Sequence, residues 1–445
     1  MKTVYIETYG CQMNVADSEM MAGVLTKAGY GLTESAGQAD VILINTCAIR
    51  EHAEARVFGR LAELQRYRLR RPEMVIGLCG CMAKHLGEKL TRRAPYVDFI
   101  ASPDAYRRLP DLIRKTADDE ALMDLRLDRE EVYAGVDPVR KHGVSAWLTV
   151  MRGCDKFCSF CVVPFVRGRE RSVPPDEVER QVRLLAEEGY KEVTLLGQTV
   201  NAYRYDETDF ADLLERLGQI DGVERIRFTS PHPSDFSEKL LNVIAGNPKV
   251  CKHLHLPVQA GSDRILERMR RSYTVEAYCH LVENIREKMP EVGLTTDIIV
   301  GFCGETEEDF EKTCDLIRWA CYDSAFMFTY SPRDGTSAYR DLVDDVPDDE
   351  KVRRLQHLID LQEGISLEIN RGLIGRRVEV LVEGQSRRDA EKLFGKIGTF
   401  KTVVFPQMGE RPGDIVEVEI VGATSHTLLG ERAIHRRDQW RGSVQ

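Results

Sequence analysis

Arg152-Gly-Cys154-Asp-Lys-Phe-Cys158-Ser-Phe-Cys161 is the stretch from which the rest of this 445-residue chain can be read. Three cysteines fall on one short loop, and the strand-like run Ala146-Trp-Leu-Thr-Val-Met151 leads straight into it. Three thiolates so placed can hold three irons of a 4Fe–4S cubane and leave the fourth iron open to a small molecule. Structural zinc would want four ligands, usually as two Cys-x-x-Cys pairs, and no second pair or His-x-x-x-His follows nearby. Disulfides fit poorly, because adjacent loop cysteines cannot reach pairing geometry easily.

The length suggests roughly three domains. No run approaches the ~20 apolar residues of a membrane span. Met1-Lys-Thr-Val-Tyr-Ile lacks the basic-then-apolar plan of a signal peptide. Twelve cysteines without such a signal point to a reducing compartment, most simply the cytoplasm, and to metal work. Net charge is −10, which argues against nucleic acid for the chain as a whole. It is uneven, however: residues 371–445 hold 13 Lys and Arg against 10 Asp and Glu, leaving −13 on the remainder. A basic tail on an acidic body can bind phosphate locally.

Outward from the loop toward the N-terminus, strand and helix alternate. Val4–Tyr9, Val41–Asn45, Met74–Leu78 and Val97–Ile100 read as strands; 17–28, 53–67 and 84–93 read as helices. That rhythm predicts an open parallel α/β sheet over residues 1–120. Cys11, Cys47 and Cys81 each sit just past the end of one of the first three strands, where ligands bind in such sheets. Three thiolates at one topological level predict a second iron–sulfur site. Cys79 lies two residues earlier, at the strand's edge, and reads as a spare thiol. Residues 121–140 are acidic, turn-rich and poorly periodic, and read as a linker.

Toward the C-terminus, residues 141–370 offer six strands at 147–151, 192–196, 225–228, 253–256, 295–300 and 325–329, with helices between. Pro175 to Tyr190 is the clearest helix, with Val178, Val182 and Leu185 on one face. Six βα units predict a partial TIM-like barrel with its chemistry at the carboxyl rim of the strands. Residues 371–437 are short alternating strands between Gly-rich turns and predict a small all-β barrel.

The cysteine loop resembles that of the radical S-adenosylmethionine (SAM) enzymes. Thr8-Tyr-Gly-Cys11-Gln-Met-Asn14, Asn45-Thr-Cys47-Ala-Ile-Arg50-Glu51 and Gly80-Cys81-Met-Ala look like the N-terminal domain of the radical SAM methylthiotransferase family, and more narrowly of its tRNA-modifying branch. The all-β end resembles a TRAM domain, an OB-like RNA-binding module. There Gly395-Lys-Ile-Gly-Thr-Phe-Lys401 stands where relatives usually read Gly-Arg-Thr followed by a polar stretch.

The resemblance implies two 4Fe–4S clusters: a radical-generating one on Cys154, Cys158 and Cys161, and an auxiliary one on Cys11, Cys47 and Cys81. It implies SAM contacts from the rim words: Gly197, Gln198 and Asn201, then Ser230 and His232, then Gln259, Asp297 and Tyr330. A glycine there allows close approach, and a side-chain amide offers an acceptor for the SAM ammonium. It implies transfer of a methylthio group to carbon 2 of an isopentenylated adenine at position 37 of tRNA. The partners implied are the tRNA anticodon stem-loop, a flavodoxin or ferredoxin as electron donor and a cluster-repair protein, with no membrane. Arg167, Arg169, Arg171, Arg268, Arg270 and Arg271 crowd the cluster side and read as surface charge or phosphate contacts. Two positions depart from relatives: Ala260 for Ser, and Cys303 for Pro. Cys251, Cys279, Cys303, Cys314 and Cys321 have no metal spacing and read as packing residues. The alternatives are a threonylcarbamoyl-adenosine tRNA or a ribosomal-protein aspartate as substrate, and a non-catalytic iron–sulfur RNA-binding protein.

Overall fold

The computed structural model describes residues 1–48, 51–116, 122–140 and 143–432, with the side chains of 51–53 left aside. Residue 121 of the expected linker and residues 433–437 of the expected C-terminal domain lie outside the described residues.

The N-terminal sheet holds β1 (Thr3–Tyr9), β2 (Gly31–Leu32), β3 (Val41–Thr46), β4 (Val75–Gly80), β5 (Phe99–Ala101) and β6 (Leu122–Asp124). All pair in parallel, in the order β2-β1-β3-β4-β5-β6. β3 and β4 are buried along their whole length because helices cover both faces, hence their unbroken apolar runs. Helices α1 (Gln12–Lys27) and α5 (Leu109–Lys115) pack on one face through Met21, Leu25 and Ile113. Helices α2 (Glu51–Arg70), α3 (Cys81–Leu86) and α4 (Glu88–Arg93) pack on the other through Leu61, Leu64, Met82 and Leu90. The single helix expected over 84–93 is two, broken at Gly87, whose φ of +49° suits glycine. The linker expected over 121–140 is also corrected in part. Residues 122–124 pair with β5, and Asp124 is clamped by Arg108 and Arg126. Tyr133 is buried against Tyr106 and donates to the Pro103 carbonyl.

The central domain carries all six expected strands. They are β7 (Ser145–Thr149), β10 (Glu192–Leu196), β13 (Arg225–Phe228), β14 (His253–His255), β15 (Gly293–Val300) and β16 (Ser324–Thr329). Two small ribbons join the loops between them, β8 (Met151–Arg152) with β9 (Arg171–Ser172) and β11 (Arg204–Tyr205) with β12 (Thr208–Asp209). The two three-stranded halves meet through one isolated bridge, Ile226 with Val250. Helices α6 (Val163–Arg167), α7 (Pro175–Glu187), α8 (Phe210–Gly218), α9 (Glu238–Gly246), α10 (Asp263–Arg268), α11 (Val275–Lys288), α12 (Glu307–Ala320) and α13 (Ser337–Asp341) connect the strands. α7 begins with proline at its first turn and buries Val178, Val182 and Leu185 against the strands.

Helix α14 (Asp348–Arg371) then leads to β17 (Arg377–Gln385), β18 (Lys392–Lys396), β19 (Thr402–Pro406), β20 (Ile415–Ala423) and β21 (Thr427–Arg432). These close into a barrel filled by Val380, Leu393, Phe405, Val418 and Leu428. α14 packs on the large barrel through Leu358 and adds a polar row: Gln362 and Ser366 donate to the Tyr322 and Asp323 carbonyls, and Asn370 donates to the Thr424 carbonyl. One helix therefore fastens the small barrel to the large one.

The segment Gly395–Lys401 docks at the start of the large barrel's strands. Arg225 donates to the Lys396 carbonyl at 2.6 Å, and Arg227 to the Ile397 and Gly398 carbonyls at 2.8 and 2.9 Å. Phe400 stacks on His253 with ring centres 4.9 Å apart. Its unusual words serve contact between domains.

A candidate iron–sulfur centre between sheet and barrel

β1, β3 and β4 run in register, Thr8 beside Asn45 and Asn45 beside Cys79, so their carboxyl ends are level. There Cys11 caps α1, Cys47 follows β3 and Cys81 opens α3. Close backbone approach makes this possible. Gly80 sits at φ +98°, and a Cβ on it would lie 2.4 Å from the Thr46 carbonyl oxygen. The Cys47 thiol hydrogen-bonds Cys11, and with Arg167 nearby the Cys11 thiol is drawn down to about 6. Burial pushes the Cys81 thiol up, although Arg167 Nε donates to its Sγ at 3.1 Å. Cys79 lies apart, inside β4, packed into the cluster of Met21, Leu25 and Tyr106, and burial alone raises its thiol.

The second triad follows β7. Cys154 and Cys161 are gathered by backbone: Cys154 N donates to the Gly168 carbonyl and Cys161 N to the Cys158 carbonyl, both at 3.1 Å. Gly153 has φ +80°, and a Cβ there would stand 1.9 Å from the Arg169 carbonyl oxygen, so only glycine fits. Arg271 Nη1 donates to Cys158 Sγ at 3.3 Å. Burial pushes Cys154 up and Cys161 up to about 12, so a metal would have to displace their protons. Among the described residues no three His, Cys, Asp or Glu side chains close on a single-ion site. A cubane takes each thiolate on a different iron.

A buried ion network joins the two triads. Asp17, fully buried on α1, accepts from Arg152 at 2.7 Å and from Arg167 at 2.8 Å. Burial alone would raise the Asp17 carboxyl, but the two guanidinia outweigh it and hold it below its ordinary range. Arg152 lies two residues before Cys154, and Arg167 ends the helix that follows Cys161. Met13 and Ala16 of α1 pack on Leu196, and Met13 Sδ accepts from Thr149 Oγ1 at 3.4 Å, so α1 sits over the rim of β7 and β10. Two guanidinia share one carboxylate, and Arg152 Nε and Nη1 and Arg167 Nη1 are buried without partners. Unanswered buried donors on the guanidinium that also reaches Cys81 are what an anionic group beside that cysteine would satisfy. Thiolate-bound clusters fit that demand, with Cys11, Cys47, Cys81 and Cys154, Cys158, Cys161 as the residues to hold them.

The rim residues fall into two groups and one outlier. Gln198 Oε1 accepts from Gly153 N at 2.5 Å, bracing the cysteine loop, while Gly197 packs against Met151. Asn201 and His232 exchange side-chain to backbone hydrogen bonds at 2.9 and 2.7 Å beside Ser230, a non-glycine residue at φ +58°. His232 is held neutral, its ring lowered to about 2 by burial and by Arg271 and Lys156. Across the barrel, Gln259 N donates to the Asp297 carbonyl, and the Asp297 carboxylate meets His255 Nε2 at 3.2 Å. Tyr330 stands apart, buried with Phe302, Cys303 and Leu266.

The expectation of six free arginines is corrected. Arg167 and Arg171 are buried on Asp17 and Asp104, Arg268 donates to the Cys303 carbonyl, and Arg271 serves Cys158. Arg169 and Arg270 remain exposed. Sequence reasoning also missed Asp17. Its signal was an acid on the apolar stripe Met13, Met20, Met21, Val24 of a helix, a placement that demands a buried cation.

Residues 148–317 match the radical SAM superfamily, residues 3–102 an uncharacterized protein family (UPF0004), and residues 371–432 the TRAM domain. Among solved structures, the radical SAM methyltransferase TsrM from Kitasatospora setae shares the fold, with a TM-score of 0.58 and 12% identity over 85% of this chain and 76% of that one. A cysteine-loop barrel with this N-terminal sheet and a TRAM barrel defines a radical SAM methylthiotransferase. Two curated relatives, both tRNA-2-methylthio-N(6)-dimethylallyladenosine synthases, come from Chloroherpeton thalassium and Carboxydothermus hydrogenoformans. They are 47% and 46% identical, each over 96% of this chain and over 95% and 99% of the relative. The chain belongs to the tRNA-2-methylthio-N(6)-dimethylallyladenosine synthase family.

Proposed function

We propose that this enzyme inserts a methylthio group at carbon 2 of N(6)-isopentenyladenosine at position 37 of tRNA. In this reading Cys154, Cys158 and Cys161 hold a 4Fe–4S cluster that SAM meets, and Cys11, Cys47 and Cys81 hold a second cluster. The names its relatives carry support the substrate. The observation that carries the two-cluster reading is Asp17, which ties Arg152 and Arg167, and through Arg167 Cys81, into one buried unit. Bound there, these groups supply a 5′-deoxyadenosyl radical and a methylated sulfur, chemistry that an aromatic C–H bond requires and acid–base side chains cannot provide.

The chain's own residues position and shield. Gln198 and Gly153 set the cysteine loop, the Asn201–His232 pair fixes the second rim turn, and Arg271 donates to the Cys158 sulfur. In this reading Gly197, Gln198, Asn201, Ser230, His232, Gln259, Asp297 and Tyr330 are the rim residues that would contact SAM. The target adenine leaves the stack of the anticodon loop to enter between the triads. The partners of this reading are an electron donor such as a flavodoxin or ferredoxin and a cluster-repair protein. Free thiols throughout the twelve cysteines suit a reducing compartment such as the cytoplasm. No described helix is long and apolar enough to cross a membrane.

The test is anaerobic turnover with SAM, a reductant and isopentenylated tRNA, with digested nucleosides read by mass spectrometry. A methylthio gain on isopentenyladenosine is the expected result. SAM cleavage without that gain would transfer the reading to threonylcarbamoyl-adenosine tRNA or a ribosomal-protein aspartate.

A further inference from the structure

Two aromatic side chains stand exposed beside the second triad: Phe157, inside the cysteine loop, and Phe165 on α6. The opposite side of α6 is committed inward, with Val162 and Val166 packed on Cys81 and Ala48. Phe165 therefore marks the outer surface of a short helix whose other side packs on Cys81. Its ring meets that of Phe157 edge to face at 6.3 Å. Phe157 holds φ +48°, a left-handed conformation that costs a bulky residue energy and is kept where the surroundings impose it. Arg169 lies over the Phe157 ring at 5.1 Å, its Nε fixed on Asp155 at 2.6 Å. Of the two arginines of this side that remain exposed, Arg169 is the one held over this ring, while Arg270 faces Asp341.

We propose that Phe157, Phe165 and Arg169 form a stacking platform for an unpaired nucleobase of the RNA loop that flanks the target adenine. The proposal rests on the tRNA reading above and adds where the loop lands. Unstacked RNA bases are held on aromatic rings and guanidinium planes, with little dependence on which base is presented. Asp155 already neutralises Arg169, so its contribution is a flat, oriented plane more than a charge. Extracting one base leaves its neighbours without a stacking partner, and an exposed ring replaces what they lose.

The experiment is fluorescence anisotropy of a labelled isopentenylated anticodon stem-loop with cluster-loaded enzyme. Phe165→Ala is expected to weaken binding about tenfold to a hundredfold, the worth of one stacked base. Phe165→Trp is expected to restore it. Arg169→Lys, which keeps the charge and loses the plane, is expected to weaken binding as well. SAM cleavage without RNA, and iron content, should stay unchanged in the Phe165 variants. If the parent binds the stem-loop and Phe165→Ala and Arg169→Lys bind it equally well, the platform is refuted. If the parent itself does not bind, the tRNA reading falls, and the platform with it.

Discussion

Arg167 donates through Nε to the sulfur of Cys81 at 3.1 Å and through Nη2 to Asp17 at 2.8 Å, so one guanidinium from the barrel serves a cysteine of the sheet. In the two-cluster reading proposed above, a residue in this position would orient Cys81 and tune its charge, as outer-shell donors do in metal sites generally. Arg167→Lys keeps the charge but cannot make both bonds at once. We expect it to retain SAM cleavage, lower product formation at least tenfold and shift the spectroscopic signature of the N-terminal iron alone. Electron paramagnetic resonance of singly loaded variants reads this directly.

The cysteine assignments separate by iron content and product. Cys154→Ala should abolish SAM cleavage while leaving iron at the N-terminal site. Cys47→Ala should keep cleavage and give no methylthio product; normal product from it would sink the second-cluster reading. Cys81→Ala should lose iron where Cys79→Ala does not, since Cys79 packs among Met21, Leu25 and Tyr106.

Removing the acid of the interdomain network should cost stability. Asp17→Asn removes the carboxylate on which both buried guanidinia are paired, a change of the kind that costs about 3–5 kcal/mol. Denaturant midpoints of the apoprotein check it.

Glu19 and Arg140 face each other at 3.6 Å beside a cavity of about 20 Å³. Burial, only partly offset by Arg140, raises the Glu19 carboxyl to about 7. Its folded value exceeds its unfolded one, so its contribution to stability is complete below about 4.5 and disappears as pH rises through about 7. Thermal melts from pH 5 to 8 should show that decline, and Glu19→Gln should flatten it.

Arg227 pairs with Glu192 at 2.7 Å, both about 3% exposed, and also holds the Ile397 and Gly398 carbonyls. Arg227→Ala should loosen the TRAM barrel from the central one, seen as faster proteolysis between residues 371 and 377. Phe400→Ala should behave likewise and leave stem-loop affinity unchanged, because Phe400 is engaged with His253.

Much of this was legible beforehand, for reasons that particular residues make plain. The six strands of the barrel announced themselves by apolar runs ending at glycine and polar words, and Cys11, Cys47 and Cys81 by their common level past three strands. What hid was pairing across long separations. Arg167 and Arg171 look like solvated charge until Asp17 and Asp104, well over sixty positions away, are brought against them. Residues 122–124 carry too little periodicity to reveal a strand, because β5 supplies the pairing. The docking of Gly395–Lys401 was invisible for the same reason: its partners are Arg225 and Arg227, two arginines whose strand gave no sign of facing another domain.

The Asp17 network also bears on how such a protein can come into being. Its acid is made early in the chain, and its two bases arrive more than a hundred residues later. Until both are synthesised and docked, each half exposes a charge that belongs in an interior. A gene split between sheet and barrel would deliver two fragments, each with half of a salt bridge and neither with a finished interior. Genetic linkage of the two halves is thus written into a single carboxylate.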